Sequence, residues 1–421
     1  VWVDCIHQCY LKPFDIERSS FYTLSQEDVS DIKTRNPNLE NETFLLPCPA
    51  EQGNRPYMIL AGTVIGPLNI ENFALNKTYV QLELASLGAG VSYSQTVDYL
   101  PASPTDDSQL KKEEEETTDD SDTSIQVEVS GMLESFAFGH SATSVGIEIN
   151  EFKQGQGYVE VSTQGNPLDS NSLAMTAGIS SMAIATILLQ NESTADAVIK
   201  QEMWPPELGV NAYDNDVTGN YTTMLVGDGG TLDNFGLFAA LRRQLPRITI
   251  FENSAVALNM SWDPYSRPPT ETDLDSSTAS LFGIEIDDID TASWWYFNNQ
   301  VFPKTDFNPF IKALQDSIRS GKGAVVTTNS TTIANDFMGI SAGIQVQIVW
   351  SYLSLATTWK DELPYNIQSD LDLGVEGPYP YFPNYPTSSL DLTAQQVNLL
   401  ANMATWVVLA NKEKYQAVLT S

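Results

Sequence analysis

The stretch "TTMLVGDGGTLDNFGLFAALRRQLPRITIF" (222–251) constrains the fold more than any other part of the chain. "TTMLV" (222–226) reads as a strand, "DNFGLFAALRRQ" (233–244) as a helix and "RITIF" (247–251) as the next strand. Asp233 can cap the helix start, and the paired arginines suit its C-terminal dipole. Strand, tight turn, helix and strand in that order predict a βαβ unit, whose two strands lie parallel and adjacent with a right-handed crossover. Strands and helices intermix elsewhere too, so the chain is read as α/β.

Other segments fit that class. "RPYMILAGTVIG" (55–66), "YVQLELASLG" (79–88) and "IQVEVSGMLESFAFG" (125–139) read as strands. Residues 172–190 carry a helical pattern, and "FNPFIKALQDSIRSG" (307–321) is an amphipathic helix closed by Gly321. "AVVTT" (324–328) and "IQVQIVWSYL" (344–353) are two further strands. Thr393 and Gln396 form a capping-box pattern that opens a last helix running to about Leu409. Residues 1–54 read as an irregular polar arm and 55–421 as one α/β domain. The interruption at 101–124 holds nine acids and two lysines. A solvated, disordered surface insertion is the first reading of it and weak calcium binding the second. No other cofactor is expected.

Charge narrows the partners. The chain has 54 acidic and 21 basic residues among 421, a formal charge of −33. Phosphate binding needs a basic footprint, so nucleic acid and anionic membrane surfaces are excluded as general partners. No apolar run reaches about eighteen residues, so no membrane-spanning helix is expected. Sequons stand at Asn41, Asn76, Asn191, Asn220, Asn259 and Asn329, and the first residue is Val rather than Met. Together they point to a processed glycoprotein, secreted or held in a secretory lumen. Of Cys5, Cys9 and Cys48, two could form a disulfide there, and the third would be buried or bridge to another chain. His7 and His140 are the only histidines and no C-x-x-C occurs, so no metal site is expected.

Asp228 ends the apolar strand, where open α/β sheets place reacting groups. Gly229 and Gly230 allow a sharp turn and close approach to a substrate. Two readings stand: a general base that deprotonates a serine, or a turn-forming aspartate that caps the following helix. A Ser-His-Asp triad has poor material here, whereas a Ser-Asp dyad needs no histidine. Ser341 in "GISAG" matches G-x-S-x-G in letters, but it leads into a strand where a nucleophile elbow leads into a helix, and it is rejected. Ser180 and Ser181 in "AGISSMAIA" are weak alternative nucleophiles, because no apolar strand precedes them.

The block "GDGGTLDNFGLFAALRRQLPRITIFENS" resembles the aspartate-bearing motif of the patatin-like superfamily, in the branch of cytosolic phospholipase A2 and the fungal lysophospholipases. "RPYMILAGTVI", "YVQLELASLGAG", "GMLESFAFGHSA" and "AMTAGISSMAIATIL" match the order of that family's segments, as do "GISAGIQVQIVWSYL" and "FPNYPTSSLDLTAQQVNLLANMATW". The resemblance covers most of 55–410. It implies a three-layer mixed sheet with helices on both faces, Asp228 as the dyad base, and backbone amides around Gly229 and Gly230 as the oxyanion hole. It also implies a lipid or lysolipid acyl ester as substrate. The family's serine elbow and glycine-rich loop precede these segments, and residues 1–54 hold neither. The serine would then come from an N-terminal fragment of the same precursor, packed on the Asp228 edge. The alternative is a catalytically silent secreted glycoprotein with a structural or assembly role on the same fold. A serine hydroxyl within about 2.6–3.2 Å of Asp228 would mark the dyad, and an Asp228 bonded only to backbone amides of its own turn would decide for the scaffold.

Overall fold

Apolar residues scattered through the first fifty positions turn out to share one cluster. The computed structural model describes residues 1–47, 57–67, 79–99, 125–139, 147–153, 157–163, 171–183, 198–203, 222–286, 299–386, 389 and 391–419. The acidic stretch 101–124, and with it the calcium reading, lies outside these residues. The expected irregular arm instead carries helices α1 (Trp2–Ile6) and α2 (Gln26–Arg35). Strand β1 (Phe21–Tyr22) also pairs there in parallel with β2 (Phe44–Leu45). Ser25 caps α2 by accepting from Asp28 N at 3.2 Å, with Glu27 and Asp28 in the first turn and Lys33 and Arg35 in the last. Phe21, Ile32 and Leu39 bury themselves with Phe136, Val159 and Val161. Their spacing obeys no single period, which is why the segment reads as irregular.

The chain divides into two compact units, 1–236 and 237–421, so the boundary falls at Gly236 rather than at residue 54. The first unit is built on an eight-stranded mixed sheet. Its strands are β3 (Ile59–Pro67), β4 (Val80–Ala85), β5 (Gly88–Tyr99), β6 (Ile125–Glu134), β7 (Ile147–Lys153), β8 (Tyr158–Thr163), β9 (Ile199–Met203) and β10 (Thr222–Asp228). They lie in the order β7-β8-β6-β5-β4-β3-β10-β9, all antiparallel neighbours except β6 and β8. All six residues of β4 are buried, Gln81 and Glu83 among them, because the strand is central in the sheet. Ser92 Oγ donates to Glu83 at 2.7 Å and Gln81 Nε2 to Asp233 at 3.2 Å, which satisfies those polar groups. The helical pattern at 172–190 yields α3 (Leu173–Ser180), capped by Ser172, and then a turn; residues 184–190 lie outside the described part.

The predicted βαβ unit does not form. β10 lies between β3 and β9, antiparallel to both. "RITIF" becomes β11 (Arg247–Glu252) in a separate three-stranded sheet of the second unit. A local strand-turn-helix-strand pattern fixes the elements but not their partners, and here both edges of β10 are occupied. The helix between them, α4 (Leu237–Arg242), starts four residues later than its pattern indicated. The chain turns first at Gly236 (φ 64°).

In the second unit β11 pairs in parallel with β13 (Gln345–Tyr352), which pairs antiparallel with β12 (Ala324–Thr331). Between β11 and β12 lie α5 (Ser276–Ser280) and α6 (Phe307–Arg319). α6 buries Phe307, Phe310, Ile311 and Leu314 and packs on β12, with the Phe310 ring 5.0 Å from that of Trp350. The capping box predicted at Thr393 and Gln396 is present and opens the helix Ala394–Ala410. Met403 and Val407 of that helix pack with Val325, Val349 and Trp359.

At the C-terminal end of β11, Glu252 is buried and its Oε1 accepts from Thr278 Oγ1. Burial first, and then the nearby Asp275 charge, holds the Glu252 carboxyl well above the usual glutamate range. A raised folded value means that the native state keeps the proton where the unfolded chain loses it. This group therefore costs stability as pH rises from the unfolded value toward the folded one. Glu252→Gln keeps the acceptor for Thr278. It is expected to raise the Tm at pH 7–8 and leave it nearly unchanged near pH 4, as read by thermal melts across that range. An equal shift at both pH values would overturn the assignment.

Candidate active site

Asp228 sits where β10 stops, and three contacts set its place. It lies opposite Gly62 in the β10–β3 register. Thr63 Oγ1 donates to its main-chain oxygen at 2.7 Å. Its own Oδ1 accepts from Gly230 N at 2.7 Å, capping the short 3-10 turn Gly229–Thr231. No other hydrogen bond of that carboxylate is seen among the described residues. The pairing of β10 with β9 ends at Val226, so Asp228 has a strand partner on one side alone. The side chain is half-buried. Burial holds its carboxyl above the usual aspartate range, opposed by the Gly230 amide bond.

The two glycines have different reasons to be there. A Cβ on Gly229 would stand 2.4–2.6 Å from Ala61 Cβ, C and O, so β3 runs too close for any side chain. A Cβ on Gly230 would meet Asn234 Oδ1 at 2.6 Å and Asp228 Oδ1 at 3.2 Å. The Gly230 N–H is committed to Asp228, so it does not serve as the oxyanion donor that the family resemblance implied. Asp233 is buried, accepting from Gln81 Nε2 and, at 3.0 Å, from Phe235 N, four residues ahead of the helix start at Leu237. Thr63, Gln81 and Asp233 thus position the turn; Thr63 and Gln81 carried no local sequence signal, and Asp233 carried only that of a helix cap.

The alternative serines lie close in the fold without meeting the carboxylate. α3 packs on β3, on β10 and on the Gly229–Thr231 turn. The Cγ2 of its Ile179 would lie 3.1 Å from a Cβ on Gly62, the residue opposite Asp228. Ser181 Oγ donates to Ala177 O at 2.7 Å and accepts from Trp2 Nε1 at 3.3 Å, which makes it the end of a helix pinned by α1. Ser180 is half-buried, and no hydrogen bond joins either serine to Asp228 among the described residues. Ser341 is exposed ahead of β13, with Gly343 at φ 85° between them. His7 is buried, with its ring Nε2 2.9 Å from Ile16 O; His140 lies outside the described residues.

Of the three cysteines, two of which could pair, Cys5 and Cys9 are both exposed free thiols, and Cys48 lies outside the described residues. Both thiols fall in the continuous helical run from Trp2 to Leu11. The Asp228 edge, where a fragment of the same precursor is expected to pack, is paired as far as Val226 with β9, drawn from "IKQEM", a segment with no strand pattern of its own. No helix among the described residues is long and apolar enough to cross a membrane. No family model matches the chain, and neither a curated protein nor a solved structure does.

Proposed function

We propose that the chain supplies the aspartate half of a serine acyl-ester hydrolase, with a lipid or lysolipid ester as substrate. One observation carries the reading. Asp228 is held at a strand end by a single amide bond to Oδ1, and its burial raises the carboxyl's basicity. A base oriented through one oxygen, with the other left for a serine hydroxyl, is what proton abstraction by a dyad requires. The serine comes from outside the described residues, on an N-terminal fragment of the same precursor. The bond of Asp228 to its own turn is the outcome set for the scaffold reading, and the dyad stands only where a serine from outside the described residues reaches the other oxygen.

The scaffold reading has a second observation beside that bond: neither Ser180 nor Ser181 is bonded to Asp228, although α3 packs on the same turn. The test is hydrolysis of a lysophospholipid by the native protein, together with any polypeptide that copurifies with it. Labelling by a fluorophosphonate that reacts with activated serines is measured in parallel. Hydrolysis that disappears in Asp228→Asn supports the dyad. Absence of both hydrolysis and labelling supports the silent glycoprotein.

Secretion belongs to the same proposal. Asn41 and Asn329 are exposed, whereas Asn259 Nδ2 donates to Asp273 Oδ1 at 2.7 Å and its Oδ1 accepts from Ser261 N at 2.9 Å. Asn76, Asn191 and Asn220 lie outside the described residues. Glycopeptide mapping of protein secreted by eukaryotic cells is expected to find carbohydrate on Asn41 and Asn329 and none on Asn259. Bare Asn41 and Asn329 would remove the secretory assignment.

A further inference from the structure

In the first unit a cavity of about 30 Å³ is lined by residues of α2, β6 and β8 together with Ser86. Asp28, Asp31, Glu134 and Glu160 contribute to its wall. Arg35 reaches Glu134 at 2.6 Å and Asp31 at 3.0 Å, and Lys153 reaches Glu160 at 2.8 Å. Two bases against four carboxylates leave the wall negative. Glu134 is saturated by both Arg35 nitrogens and by Val161 N at 2.8 Å. Asp28, Asp31 and Glu160 keep more lone pairs than they have donors.

A cluster of acids alone would mean little, but one buried hydroxyl points to an occupant. Ser86 is 1% exposed and its Oγ has no hydrogen-bond partner. Tyr158, 6% exposed, also lines the cavity, and no hydrogen bond of its hydroxyl is seen among the described residues. Burial first, then the charges of Glu134, Glu160 and Asp28, hold the Tyr158 phenol above its ordinary value. Its oxygen therefore lies in their combined field and stays a neutral hydroxyl able to accept. A buried polar atom left unpaired costs about 1–3 kcal/mol, so a site that leaves Ser86 Oγ open is suited to a donor from outside.

We propose that this cavity binds a primary ammonium group, with Ser86 Oγ and Tyr158 Oη accepting two of its N–H bonds and Asp28, Asp31 and Glu160 supplying the compensating charge. Size and geometry select that class. One water takes about 10–15 Å³ by this measure, so the space suits about two heavy atoms, the size of methylammonium. A quaternary ammonium is too large and offers no N–H donor. No group of three acidic, histidine or cysteine side chains among the described residues could hold a metal ion. Water would fill the space but leave the negative surplus uncompensated.

The experiment titrates the full chain with ¹³C-methylammonium chloride, monitored by NMR, at constant ionic strength. Potassium chloride and tetramethylammonium chloride serve as competitors. Saturable binding that neither competitor displaces is expected. Glu160→Gln and Tyr158→Phe should each weaken it by about tenfold, the loss of one charge-assisted bond. Both substitutions are close to isosteric, and an unchanged Tm identifies variants that remain folded; Ser86→Ala serves where one does not. Absence of saturation, equal displacement by potassium, or unchanged binding in the folded variants would each overturn the proposal.

Discussion

Asp228→Asn is expected to lower ester hydrolysis by about 10⁴-fold, the upper range for loss of a positioned general base. The amide keeps an oxygen for Gly230 N at the position of Oδ1, so the turn survives. What disappears is basicity. The same substitution should leave the Tm unchanged or slightly higher at pH 7. The Asp228 carboxyl is raised in the folded state, so the native protein binds the proton more tightly than the unfolded chain. Ionisation of this group thus costs stability as pH climbs above the unfolded value, and asparagine never ionises. A variant that stays folded and hydrolyses ester at the wild-type rate would end the dyad reading. One that loses activity together with its fold would say nothing about basicity. Glu is then the informative replacement: its added methylene moves the carboxylate away from the Gly230 amide while retaining the charge.

Gly229→Ala should destabilise the first unit by about 3 kcal/mol, the upper end for overpacking, because the obstacle is backbone. The new methyl would sit 2.5 Å from Ala61 C and 2.6 Å from Ala61 O, and β3 cannot yield without disturbing its pairing with β4 and β10. Gly230→Ala is the control. There the nearest atom is Asn234 Oδ1, the end of an exposed side chain rather than backbone, so a smaller loss of about 1 kcal/mol is expected. Urea unfolding read by a probe confined to the first unit measures both, since two units need not melt together. Equal losses at the two glycines would show that β3 is more pliable than its contacts imply.

Legibility in the sequence tracks the range of each interaction. The capping box at Thr393 and Gln396, the apolar face of α6 and the strand at 345–352 rest on neighbours within a few residues, and they are legible. α2 is missed: Ser25, Glu27 and Asp28 stand at its start and Lys33 and Arg35 at its end, but its polar composition leaves it in an arm that reads as irregular. Partners are not legible. "TTMLVGD" gives a strand ending in an acid, but nothing in it says that β3 and β9 will flank it, nor that β11 will leave for another sheet. In the candidate site, Asp228 and its glycines stand out because Asp-Gly-Gly is a short-range signature. Thr63 and Gln81 do not, and Asp233 reads only as a helix cap, because their roles exist only after the strands meet. Asn259 shows the same limit: a three-residue motif marks it as a glycan acceptor, while Asp273, fourteen positions away, holds its amide.

The hydroxyl of Thr63 and the oxygen it binds on Asp228 are 165 residues apart along the chain. Closing a loop of that length is entropically dear and slow compared with forming a helix or a hairpin. β3 and β4 can pair long before β10 exists as a strand. During synthesis the far edge of β3 would therefore wait open, a row of unpaired amides and carbonyls able to accept a strand from another chain. The carboxylate would be among the last groups of its unit to reach position. Geometry at the site would then report completed folding, and a chain stalled before residue 222 would present an adhesive sheet edge in place of a base.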